Sequence, residues 1–146
     1  MYRNILVPVN GTAQSETAIP HAFDLAEDRD ATVHALCAFS RGSRYGALSI
    51  ESAEHREESL QERADRIVGN VADRAREAGV DCVTVTREGD PTEAILDYID
   101  AADIDVVVIG GRKRSPAGKL LFGSVTQSIV LHTDVPVMIT GGRSDD

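Results

Sequence analysis

The sequence predicts an open α/β domain: one parallel five-stranded sheet of order 3-2-1-4-5, with helices on both faces. Three observations predict it. Short β-branched runs alternate with amphipathic helical stretches along the chain, and such alternation gives a parallel sheet. The length, 146 residues, suits one domain with a core that needs no staples. Right-handed crossovers with one reversal of winding then leave the first and fourth strands adjacent.

Asn4 to Val9 (NILVPV) is a short apolar run suited to a buried strand, ended by the turn residues Asn10-Gly11-Thr12. Ala18, Ile19, Ala22, Phe23, Leu25 and Ala26 recur at helical spacing, so Thr17 to Asp28 reads as a helix with Ser15 as its N-cap. Pro20 falls near its first turn, where proline is tolerated. Ala31 to Phe39 is the second strand, and Ser40 to Ser52 a polar, glycine-bearing loop. Ala53 to Gly79 reads as a long charged helix, with Gly79 as its terminator.

Asp81 to Arg87 (DCVTVTR) alternates as a third strand. Asp90 or Thr92 can cap the helix that Ala94, Ile95, Tyr98 and Ile99 line. Ile104 to Ile109 is the fourth strand, Gly123 to His132 the fourth helix, and Val135 to Thr140 the last strand. The whole chain, 1–146, is one domain by this reading.

Composition narrows the partners. The net charge of −9 weighs against nucleic acid or an anionic membrane, both of which need a cationic surface. No apolar run reaches the ~20 residues of a membrane span. MYRNILVPVN runs straight into a strand pattern without a leader, so a cytoplasmic location is expected. Thirteen arginines stand against two lysines, and Asp exceeds Glu, a halophilic bias that describes the host and not the chemistry. Cys37 and Cys82 lie in apolar strands without a CxxC pair and read as buried spectators.

The stretch from Val106 to Ser128 departs from this acidic background. No carboxylate lies between Asp105 and Asp134, and Arg112, Lys113, Arg114 and Lys119 fall within eight residues. Gly110 and Gly111 would let backbone approach a ligand closely. Gly123-Ser124-Val125-Thr126 opens a helix, where N–H groups and the dipole favour phosphate. Turn geometry and a solubilising loop explain each feature singly; their conjunction points to phosphate. Neither a Walker A motif nor GxGxxG is present. The topology gathers no Ser/His/acid or Cys/His set, so no catalytic residue is assigned.

Gly110, a two-residue gap, a further position, nine residues and then Gly123-Ser124 resemble the nucleotide motif of the universal stress protein family. ILVPVNGT (Ile5 to Thr12), GDPTEAIL (Gly89 to Leu96), DVVVIGG, GKLLFGSVTQSIV and DVPVMI resemble that family in order along the chain. The resemblance implies an adenine nucleotide alpha hydrolase-like fold, an ATP or other adenine nucleotide ligand with Mg2+ as companion, and a homodimer through Val135 to Thr140. It places Pro8, Val9 and Asn10 near base or ribose, and Ile109, Gly110, Gly111, Arg112 and Lys113 along the ligand. Gly123, Ser124, Val125 and Thr126 would hold phosphate. Lys113 stands where the family has its second glycine, and Asn10 where it commonly has Asp. Asn10 thereby keeps an acceptor but loses a charge. A stress-response or signalling dimer with an unknown client protein is the function implied. The alternatives are a same-fold adaptor whose site Lys113 has closed, and a flavodoxin-like electron carrier, with Asn10 to Ser15 as flavin phosphate loop and Tyr45 as stacking aromatic.

Overall fold

A computed structural model describes residues 2–40, 59–111 and 123–141. Strand β1 is Asn4–Pro8, helix α1 Ala13–Glu16, α2 Ala18–Arg29, β2 Thr32–Phe39 and α3 Leu60–Ala78. Then follow β3 Asp81–Glu88, α4 Pro91–Ala101, β4 Val106–Gly110, α5 Ser124–His132 and β5 Val137–Thr140. The sheet has the order β3-β2-β1-β4-β5 with every pairing parallel, as expected.

The period of two along β1 splits the core between the faces. Ile5, Val7 and Val9 join α2 and α3 through Ile19, Phe23, Ile67 and Val71. Leu6 points the other way, into a cluster with Ile95 and Ile99 of α4 and Ile129 of α5. Ile5, Leu6 and Val7 are fully buried, so β1 sits at the centre of the molecule with helices over both faces.

Four boundaries differ from the sequence reading by two residues or more. The helix expected from Thr17 is two helices: Thr12, not Ser15, caps α1, its side chain accepting from the Ser15 N–H. Pro20 cannot bond back to the Glu16 carbonyl, and Thr17 Oγ1 donates to the Gln14 carbonyl at 2.7 Å, so the break falls at Thr17. The long helix begins at Leu60, not Ala53. Ser59 is extended, its hydroxyl accepts from the Glu62 N–H and its own N–H donates to Glu62 Oε1, a complete capping box. Positions 53–58, the expected loop 41–52 and Tyr45 lie outside the described residues.

The fourth strand begins at Val106 because Ile104 still closes α4, its N–H donating to the Ile99 carbonyl. Asp105 instead ties down β1, its Oδ2 accepting from the Arg3 and Asn4 N–H groups at 2.8 and 2.9 Å. The last strand begins at Val137, after Pro136, which has no N–H to give a ladder. Gly79 ends α3 in the left-handed conformation, φ 75°, as its position suggested. Cys37 is buried, but Cys82, on the sheet's edge strand, is only half buried.

Candidate functional site

The switch point lies beyond the carboxyl ends of β1 and β4. From β1 the chain winds outward to β2 and β3; from β4 it winds the other way to β5. The loops that leave β1 and β4 therefore part, and a cavity of about 330 Å³ opens between them.

Its first wall is the turn after β1. Val9 N–H still donates to the Leu36 carbonyl, and Gly11, at φ 85°, turns the chain away. Asn10 Oδ1 accepts from the Thr12 N–H at 3.0 Å and from Thr12 Oγ1 at 2.7 Å. The Asn10 N–H donates to Ser15 Oγ, and that hydroxyl donates to the Thr12 carbonyl. These bonds fix the turn and start α1 against the cavity.

The second wall is the first turn of α5. Gly123 is extended and offers no side-chain cap, while its carbonyl accepts from the Gln127 N–H. The N–H groups of Ser124, Val125 and Thr126 precede the first intrahelical donor, so an anion is their natural partner. The floor is apolar: Leu36 and Ala38 of β2, Pro91 and Ile95 of α4, and Ile109 of β4.

Nine expected residues meet here: Pro8, Val9, Asn10, Ile109, Gly110, Gly123, Ser124, Val125 and Thr126. Gly111 does not line the cavity. Its N–H donates to the Thr140 carbonyl, and a Cβ there would lie 2.7 Å from Ile139 Cγ2. Gly110 does line it, yet a Cβ there would run into the Gln14 carbonyl oxygen. The glycine pair is thus demanded by α1 and β5 packing against the end of β4, which corrects the reading that it clears room for ligand. Asn10 is corrected as well: the acceptor it was expected to offer is taken by Thr12. Arg112 and Lys113 lie outside the described residues, as do Arg114 and Lys119.

Sequence reasoning missed Leu36, Ala38, Pro91 and Ile95, and brought in Thr12, Gln14 and Ser15 only through the turn after the first strand and its flavin alternative. The predicted strand order held a signal for some of them. It sets the end of the second strand beside the first, and the Gly89-Asp90-Pro91 turn opens at the same end of the sheet.

No charged and no aromatic side chain lines the cavity among the described residues, so the stacking platform of a flavin site is not found there. Nor do they hold a group of three or more His, Cys, Asp or Glu placed for a metal. The perturbed groups stand elsewhere. Burial pushes the Cys37 thiol up to about 12, and raises Cys82 and Tyr98. Burial lowers His34. None of them touches the cavity.

An open, doubly wound α/β domain with a crevice that carries no charge among the described residues, and a bare helix start at its switch point, is the class this geometry defines. Within that class the chain belongs to the universal stress protein family, whose model matches residues 1–141. A universal stress protein of Methanothermobacter thermautotrophicus is 34% identical over 138 residues, 89% of each chain. The solved universal stress protein of Archaeoglobus fulgidus shares 27% identity at a TM-score of 0.74, over 95% of this chain and 98% of that one. A family protein of Arabidopsis thaliana, solved with AMP bound, shares the fold at TM-score 0.72 and 19% identity, over 98% and 93%.

Proposed function

We propose that the crevice binds an adenine nucleotide, and that the protein acts as a cytoplasmic stress-response or signalling homodimer. The observation that carries the reading is the bare N-terminus of α5, whose first N–H groups face a cavity with an apolar floor. An apolar slot suits a base, and a helix start suits a phosphate. The Arabidopsis relative holds AMP, a ligand of this chemistry. The cationic run Arg112 to Lys119 follows directly on the strand that ends at the cavity, which adds charge in the same direction. Among the described residues no helix is long and apolar enough to cross a membrane.

The dimer reading rests on β5. Val137–Thr140 is an edge strand without a charge, and Met138 and Ile139 are 41% and 36% exposed. An uncharged edge is a template for a second strand. Titration calorimetry with AMP, ADP and ATP tests the ligand: saturable heat from at least one is expected, and silence from all three sinks the reading. A Lys113→Gly arm separates a closed site from a wrong one. Binding gained only in that variant makes the lysine a block, and binding weakened makes it a phosphate ligand.

A further inference from the structure

Asn10 has an unspent donor. The Thr12 N–H can only donate, so the Asn10 atom 3.0 Å from it is the amide oxygen. Thr12 Oγ1 donates to the same oxygen at 2.7 Å, and the two bonds use both of its lone pairs. The Nδ2 group, with two hydrogens to give, finds no acceptor among the described residues, although Asn10 is part-buried and lines the cavity. A part-buried amide NH2 group that faces a cavity is placed to donate to a ligand oxygen there.

The same wall cannot serve a hard cation. Magnesium bound with phosphates is held by one or two carboxylates, and no carboxylate lines the cavity among the described residues. The first turn of α5, on the phosphate side, has none either. The donor set of the described residues therefore does not fit the Mg2+ that the family resemblance implies.

We propose that this crevice takes its nucleotide without a divalent cation, and that Asn10 sets this by donating from Nδ2 to a ribose or phosphate oxygen. The inference rests on the nucleotide reading above. The N–H groups at the start of α5 supply the charge compensation that an ion would otherwise give. Asn10→Asp is the decisive variant. It keeps an oxygen for Thr12 and turns the amine into a second oxygen, so the turn stays closed while donor becomes acceptor.

The experiment titrates AMP and ATP into the full chain, once with a chelator and once with excess Mg2+. The natural protein is expected to bind equally in both. Asn10→Asp is expected to lose about tenfold in chelator, the worth of one charge-assisted hydrogen bond, and to recover with Mg2+. Binding by the natural protein only with Mg2+ overturns the inference and leaves the nucleotide reading standing. An Asn10→Asp variant that binds in chelator like its parent also overturns it, since the amine then touches no ligand. Absence of binding in every condition overturns both.

Discussion

At the scale of single residues, the glycines sort by what stands against them. A methyl on Gly110 would strike the Gln14 carbonyl oxygen and lie 3.0 Å from Ser15 Cα, both backbone of α1. Neither can swing aside as a side chain could, so α1 has to shift. Gly110→Ala is expected to cost about 2 kcal/mol, the usual range for overpacking, and to narrow the cavity. Gly69 sits inside α3 with nothing within 4 Å of the same methyl. Gly69→Ala is expected to stabilise by about 0.8 kcal/mol, the helix propensity difference. Urea unfolding of the two variants checks the opposite signs; equal effects would mean that the contact with Gln14 does not constrain α1.

Among elements, strand identity was legible because periodicity is a property of the backbone. Asn4 to Val9 reads as a buried strand from its short apolar run alone. Element ends were less legible, because they are set by side chains reaching across space. Asp105 ties down β1 over a separation of 101 residues, which no local pattern announces. Ser59-x-x-Glu62 is a local pattern, yet the charged run that extends back to Ala53 hides the helix start it marks. The site was legible where it coincided with strand ends, at Pro8 and Ile109. It was hidden where packing brings in α4, as with Ile95.

The link between β1, β2 and α4 is polar and sensitive to pH. His34 is buried on β2; its Nε2 lies 3.0 Å from Asn4 Oδ1 and its Nδ1 2.7 Å from the Tyr98 hydroxyl. An amide oxygen only accepts, so Nε2 carries the hydrogen and Nδ1 accepts from Tyr98. A proton on Nδ1 would reverse that bond, making the Tyr98 hydroxyl oxygen the acceptor, beneath a ring that the Arg87 guanidinium already covers at 5.7 Å. Burial lowers the imidazole below its ordinary 6.5. The unfolded chain then binds the extra proton first, so stability rises with pH through that interval and is lost as pH falls below about 6.5. His34→Gln removes this component. Unfolding free energies measured from about pH 7.5 to 5 are expected to fall more steeply in the natural protein than in His34→Gln. Parallel slopes would show that His34 does not titrate with folding.

For the whole molecule, the sheet ends in two edges of opposite character. β3 carries Asp81, Arg87 and Glu88, which discourage a second strand from pairing. β5 reads Val-Met-Ile-Thr and has no such guard. Val130 and Leu131 of the helix just before it are 43% and 69% exposed, so apolar surface accumulates on that side of the chain. The proposed homodimer therefore has one natural place to form, through β5. Ile139→Lys puts a charge on that edge without touching the core, since Ile139 is 36% exposed. Val83→Lys does the same on β3, where Val83 is 42% exposed. Sedimentation velocity is expected to find a dimer in the natural protein and in Val83→Lys, and a monomer in Ile139→Lys. Thermal unfolding of Ile139→Lys is expected to become independent of protein concentration, because mass action no longer couples folding to association. A dimer that survives Ile139→Lys but not Val83→Lys would move the interface to the opposite edge. Nucleotide binding would then be decoupled from it: Ile109 and Gly110, which line the cavity, pair with Ile139 and Thr140, so it is β5 that the cavity wall touches.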